Sequence, residues 1–400
     1  MQPDTVQNYL PEKTSRIGLT ISAVLVILLV GSVYISQLIF QEIAKSFAID
    51  VLDARFVFSL SCFAYAISFF IYGPLSDDKI STQKLVLFGC VGTVLCLVLS
   101  VYVQSYIGYL LVMSLIGFFA AAVPVALFAY TAKNTSDDKL AQSMGIMISA
   151  SIVGIIFSRS MVAILTDYLS WEMAFIIYAL MIIGITFLIP LGVKKSDYSR
   201  SSVSIKEIYL NAAKLLLNKV VVIFLTIGFL LFFVYLGISS FLTFYLKDAP
   251  FYLSSTALGW LNFAGISAIV GAMISGRLLQ YISKKTLLLI LLSGVSLSIV
   301  IIGYSPYLLG IAIGLFSLFM CVFGLQPIVI SILNQIVPIN LRGAISSLYL
   351  LSCLAGGSIG TYLLGVFWEY LHWNGIIVIC FAISLINIFL TVLAQKLIKK

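Results

Sequence analysis

Asp167-Tyr-Leu-Ser-Trp171 closes one apolar run, and Glu369-Tyr-Leu-His-Trp373 closes another 202 residues later. A five-residue pattern of acid, Tyr, Leu, any residue and Trp, repeated at matching places, marks an internal duplication. Three further pairs keep nearly the same offset. Val33-Tyr34 returns as Val234-Tyr235 after 201 residues, Gly73-Pro-Leu as Gly276-Arg-Leu after 203, and Pro124 as Pro327 after 203. Half-length repeats of this kind are typical of membrane chains that work by moving one half against the other.

The solvent of the chain follows from its composition. Of 400 residues, 62% are apolar and only 10% charged, and the mean hydropathy is +1.15. A water-soluble domain of this size needs a far larger polar coat, so lipid is the expected medium. Apolar runs long enough to cross a bilayer fall at 17–40, 54–76, 84–103, 106–131, 141–166, 172–193, 220–246, 255–279, 285–303, 306–333, 344–368 and 374–396. The first reads as a retained span rather than a cleaved leader. The expected fold is an all-α membrane protein of twelve transmembrane helices in two pseudo-symmetric six-helix bundles. Residues 1–193 form the first bundle, 194–219 a cytoplasmic central loop and 220–400 the second. The loop ends in an amphipathic stretch, Ile205 to Leu217, suited to the membrane surface.

Charge sets the expected orientation. With a cytoplasmic N-terminus, nineteen of the 23 basic residues fall on the inner side. Lys45, Arg55 and Lys247 fall outside, and Arg159 lies within a span. The positive-inside rule therefore places both termini in the cytoplasm. Trp171, Trp260, Trp368 and Trp373 fall near outer span ends, as an aromatic belt requires. The net charge of +8 flanks the spans and does not form a nucleic-acid surface.

Other classes find little support. The six cysteines lie in apolar runs without metal-ligand spacing, and the sequence asks for no metal or other cofactor. Asp77-Asp78 and Asp137-Asp138 lack a third carboxylate at useful spacing and read as loop charges. His372, the one histidine, is a weak proton-coupling candidate in an outer loop. No Gly-x4-Gly-Lys-Ser/Thr loop exists for ATP, and no cluster of catalytic groups shares one membrane depth, so an enzyme is not expected.

The Gly73-Pro-Leu-Ser-Asp77 turn between spans 2 and 3 resembles the signature loop of the major facilitator superfamily, in the form common to its bacterial drug:proton-antiporter-like branch. Gly117, Ala120-Ala-Ala-Val-Pro124, Gly145, Gly154, Arg342-Gly343 and Gly365-Val-Phe-Trp368 extend the likeness along the chain. Three departures stand out. Met113 replaces an expected Arg, Gly154-Ile-Ile-Phe-Ser-Arg159 departs from the efflux motif, and span 1 carries no coupling carboxylate.

The resemblance implies a conformational gate at Gly73, Asp77, Lys84 and Arg342, with Asp77 holding the two halves together. It also implies a cavity lined by spans 1, 4, 7 and 10. Tyr34 and Gln37 in span 1, three residues apart and so on one helical face, are then candidate contacts, as are Tyr235 and Ser239 in span 7. Asn262, Gln326 and Tyr349 complete the candidates, with hydrogen bonding between helices as the alternative for each. Pro124 and Pro327 suit kinks. Arg159 has two readings: a cavity cation for an anionic or carbonyl-bearing solute, or a structural Arg that bonds carbonyls or reaches outward to Asp167.

The expected function is secondary transport of a small organic solute across the inner membrane by alternating access. Efflux coupled to the proton gradient, by a monomer, is the main expectation. The alternative is specific uptake or export of an anionic metabolite or siderophore.

Overall fold

The computed structural model describes residues 16–76, 81–135, 137–193, 210, 214–279, 281–337 and 342–398. Asp77, Gln280 and most of the 194–219 stretch lie outside them, as does the side chain of Arg342. Every regular element among the described residues is helical. Lipid offers no partner to backbone N–H and C=O groups, so each span must satisfy them within itself.

The first part of the chain comprises α1 (Arg16–Ser32), α2 (Phe40–Phe47), α3 (Arg55–Ser76), α4 (Thr82–Tyr102), α5 (Tyr106–Asn134), α6 (Asp137–Tyr168), α7 (Trp171–Thr186) and α8 (Ile189–Gly192). The second comprises α9 (Lys219–Lys247), α10 (Ser255–Asn262), α11 (Ser267–Leu278), α12 (Lys284–Tyr304), α13 (Leu308–Ile336) and α14 (Arg342–Ile398). Nine stretches of these residues are long and apolar enough to cross a membrane, and α1 and α7 are shorter apolar helices. Side-chain oxygens cap several N-termini. Ser81 accepts from the Lys84 N–H and Ser283, 202 residues on, from that of Thr286.

Two spans differ from the sequence expectation. The run 17–40 is not one helix: α1 stops at Ser32, and residues 33–39 continue as turns. Their bonds step back three residues, as in Tyr34 N–H to Gly31 O at 2.8 Å and Gln37 N–H to Tyr34 O at 3.2 Å. Such backbone survives at membrane depth only when protein covers it, and residues 31–40 are all buried. The run 255–279 is likewise split, by a 3-10 turn at Phe263–Ile266 just after Asn262. The last two runs remain two helices, carried together under the label α14 and separated by a kink at His372, φ 49°, ψ −154°. His372 sits at that junction between the two helices and is exposed.

The tryptophans also depart from a lipid-facing belt. Trp260 is 64% exposed, but Trp171 and Trp373 are buried. The Trp171 indole donates to Ser46 Oγ at 2.8 Å, and Trp373 stacks on Tyr245 with ring centroids 4.6 Å apart. Their rings fill space between helix ends instead of anchoring the chain to headgroups. Lipid-facing surface comes from residues such as Leu95, Ile107 and Leu309, each more than 60% exposed.

The repeat seen in the sequence reappears as atomic contact. On α6, a Cβ at Gly154 would stand 2.4 Å from Ile27 O of α1. On α14, a Cβ at Gly356 would stand 2.0 Å from Phe229 O of α9. Both positions of the first contact recur in the second 202 residues later, Gly154 as Gly356 and Ile27 as Phe229, so each helix pair closes on a glycine at the same place. The first and second parts meet along two seams, α3 against α14 and α6 against α10.

Candidate functional site

The site forms where the two irregular segments meet, the turns at 33–39 and the break after Asn262. Arg159 comes from the middle of α6 and is 1% exposed. Its Nη1 donates to Asn262 Oδ1 at 3.2 Å. Asn262 is fixed in turn, because its Nδ2 donates to Ile156 O at 3.1 Å and to Ser160 Oγ at 3.2 Å. Ser160 Oγ donates onward to Gly259 O at 2.8 Å. The Asn262 amide thus has both donors occupied, which leaves its oxygen turned to Arg159.

The guanidinium lies over the Tyr34 ring, its Cζ 5.4 Å from the centroid, a cation–π contact. The Tyr235 hydroxyl sits beside the same cation but outside hydrogen-bond geometry. Nε and Nη2 of Arg159 have no hydrogen-bond partner, nor does Ser239 Oγ, and Arg159 makes no ion pair among the described residues. Arg159, Asn262, Ser239, Thr243, Leu38 and Phe319 line a small cavity of about 30 Å³. That is far below the roughly 300–1,000 Å³ of a typical small-molecule site, so a solute requires the helices to separate.

Toward one end the cavity is shut. Lys247, at the end of α9, reaches Glu42 Oε1 of α2 at 2.5 Å and Ser255 Oγ of α10 at 2.8 Å. The Ser255 hydroxyl donates to the same carboxylate oxygen at 2.7 Å, and Asp167 Oδ2 accepts from the Thr256 N–H at 2.6 Å. Gln37 Nε2 donates to Ser240 Oγ at 2.6 Å, and Phe40 stacks on Phe244 at 5.5 Å. Glu42–Lys247, Phe40–Phe244 and Gln37–Ser240 are separated by 205, 204 and 203 residues. Positions within a few residues of the repeat offset therefore face each other here, as near a local twofold axis.

The structure gathers Tyr34, Arg159, Tyr235, Ser239 and Asn262 around one point. Tyr34 and Gln37 lie on turns rather than on a helical face, yet i and i+3 still point the same way there. Gln37 is committed to Ser240 instead of the cavity. Tyr349 packs against Gly228, and Gln326 is half-buried beside Pro327; neither lines the cavity. The outward reach of Arg159 to Asp167 does not occur, since Asp167 caps α10. Of the gate residues, Gly73 is half-buried near the end of α3 and Lys84 is exposed in the first turn of α4. Sequence reasoning missed the Glu42–Lys247–Ser255 cluster. Its signal was present: two opposite charges at nearly the repeat offset.

Comparison with known proteins identifies the class. The Major Facilitator Superfamily profile matches residues 21–361. The chain belongs to that superfamily, and is a multi-pass membrane protein that transports a solute. An uncharacterized transporter of Buchnera aphidicola subsp. Schizaphis graminum is 26% identical over 365 residues, covering 88% of this chain and 86% of its own. The inner membrane transport protein YnfM of Escherichia coli K12 is 23% identical over 344 residues, 86% and 82% of the two chains. Among solved structures, a peptide transporter POT bound to sulfate superposes with a TM-score of 0.75 at 14% identity, over 99% of both chains. A point mutant of the nucleoside transporter NupG gives 0.73 at 17%, over 94% of this chain and 98% of its own. These superpositions establish the fold.

Proposed function

We propose that the chain moves a small, partly apolar organic solute across the cell's inner membrane by alternating access. Two six-helix halves, residues 1–193 and 220–400, rock about the 194–219 connection, giving twelve crossings with both termini in the cytoplasm. The Arg159 cavity is the solute site, and the Glu42–Lys247 end is the periplasmic face in its closed position. One observation carries this reading: side chains from both halves line a single cavity, closed at one end by an ion pair between the same halves. Such a site can reach either side only if the halves move. Gly73, Asp77, Lys84 and Arg342 then form the opposite, cytoplasmic gate.

Export in exchange for protons is the mode we assign. It is supported by the likeness of Gly73-Pro-Leu-Ser-Asp77 to the antiporter branch. Flux into proteoliposomes, with and without an imposed pH gradient, tests it. Accumulation only with the gradient is expected. Equal flux in both conditions removes the proton and leaves a facilitator.

A further inference from the structure

Arg159 is too costly a residue to be merely structural in the setting that surrounds it. A mid-span Arg is unfavourable by about 2.5 kcal/mol or more even on insertion scales. A structural Arg offsets that cost by saturating its five N–H donors with carbonyls or a carboxylate. Here one bond to a neutral amide is made, and two nitrogens carry unused donors inside the protein. Those nitrogens, Nε and Nη2, form one edge of the guanidinium. Their N–H bonds run parallel and match the two oxygens of a carboxylate.

The rest of the site defends that edge. Asn262 is oriented by Ile156 O and Ser160 so that it holds Nη1 without neutralising the charge. Tyr34 supports the flat face of the cation, and the free hydroxyl of Ser239 lies on the same cavity. The rest of the lining is mostly apolar. Leu38, Leu242, Leu246, Leu258, Leu261 and Leu315 all line the cavity. A cavity lined by one cation and six leucines suits an amphiphile, with one charged head and a hydrocarbon body.

We infer that the cavity recognises a small organic monocarboxylate, its head paired with the Nε–Nη2 edge of Arg159 and its apolar body against the leucine wall. The inference rests on the cavity being the solute site, and it adds the chemical class. Charge recognition explains why, among the described residues, no side-chain carboxylate stands beside Arg159: an internal acid would occupy the place of the solute.

The test uses the purified full-length protein and matched probes: benzoate, cyclohexanecarboxylate and hexanoate, each with its primary amide and its amine. Each acid is expected to raise the melting temperature by several degrees, since a ligand of the native state stabilises it by mass action. Its amide and amine leave the temperature unchanged. In Arg159→Gln the shift is lost. Asn262→Asp is the second variant, because it places a carboxylate about where Oδ1 now meets Nη1. It is expected to abolish the shift by acids, without stabilising the free protein, because an oxygen in place of Nδ2 leaves Ile156 O without its donor. No shift with any acid, equal shifts with amides, or shifts retained in Asn262→Asp overturn the inference. Shifts by sulfate or phosphate alone also overturn it. Proteoliposome flux of the same labelled probes separates the two proposals. Flux of amides or amines but not acids sustains transport through the cavity and removes the carboxylate class. Acid binding with no flux of any probe sustains the class and removes the transport role of the cavity.

Discussion

The two seams that join the halves occupy equivalent places in the repeat and have opposite chemistry. Along α3 and α14, the Ser59 hydroxyl donates to Ser358 O at 3.3 Å, and the Ser358 hydroxyl returns a bond to Ser59 O at 2.6 Å. Along α6 and α10, the same positions are Ile156 and Asn262, joined by one bond from the amide. Phe56 packs on Tyr362 in the first seam at 5.5 Å, where the second has Gly259 and Ser160. The position of Arg159 is taken in the first seam by Thr361, whose hydroxyl turns back to Gly357 O of its own helix. At these matched positions the first seam is bonded in both directions and the second carries an open charge, although Arg55, at the end of the first seam, is also buried against Gly365 with its Nε unpartnered. In a low-dielectric interior a saturated polar contact fixes geometry, whereas an unsaturated one persists where something else completes it. The duplicated scaffold has kept one seam as a joint and turned the other into a site.

Six substitutions break or sharpen that contrast. Arg159→Ala is expected to lower solute flux by about 100-fold, the value of one bidentate charge-assisted contact. Thr361→Ala, at the equivalent place, should leave flux within about twofold, measured in the same proteoliposomes. Retained flux in Arg159→Ala would make the seams functionally alike.

Gly356→Ala drives a Cβ into Phe229 O and is expected to cost about 2–3 kcal/mol of stability, read from thermal melting. Gly154→Ala, with the longer 2.4 Å approach, should cost less. A reversed order would show that the two helix pairs relax differently despite their shared geometry.

Lys247→Met removes the cation that joins α9 to α2. Glu42 keeps some solvent, so the loss is expected to be about 1.5 kcal/mol, roughly tenfold in favour of the opened end. The readout is thiol labelling of Ser239→Cys, against native cysteines that are all buried. Unchanged labelling would mean the pair does not hold that end shut.

Ser59→Ala should have the smallest effect, about 0.6 kcal/mol, as measured for hydrogen bonds between membrane helices. Flux is expected to stay at the parent level, because Ser59 bonds Ser358 and does not line the Arg159 cavity.

Much of the fold was legible in the residues. The acid-Tyr-Leu-x-Trp pairs marked the duplication, and runs such as 220–246 and 285–303 fall within observed helices. Hydropathy reads a residue's solvent, and in lipid a long apolar run has little choice but helix. The site was legible only in part. Arg159 stood out as a charge at membrane depth, and Asn262 and Ser239 as polar groups in apolar runs. Tyr349 stood out equally and packs elsewhere, because hydropathy carries no direction around a helix.

The sequence by itself therefore determined the medium, the helical class and the repeat, since each follows from local composition or from self-similarity. Tertiary structure alone decided that α1 breaks at Ser32, that Glu42 meets Lys247 and that Arg159 keeps an unpaired edge. The physical reason is common to all three. Broken backbone and buried charge are tolerated only where neighbours from distant parts of the chain cover or complete them. Which neighbours arrive is set by how the two halves pack.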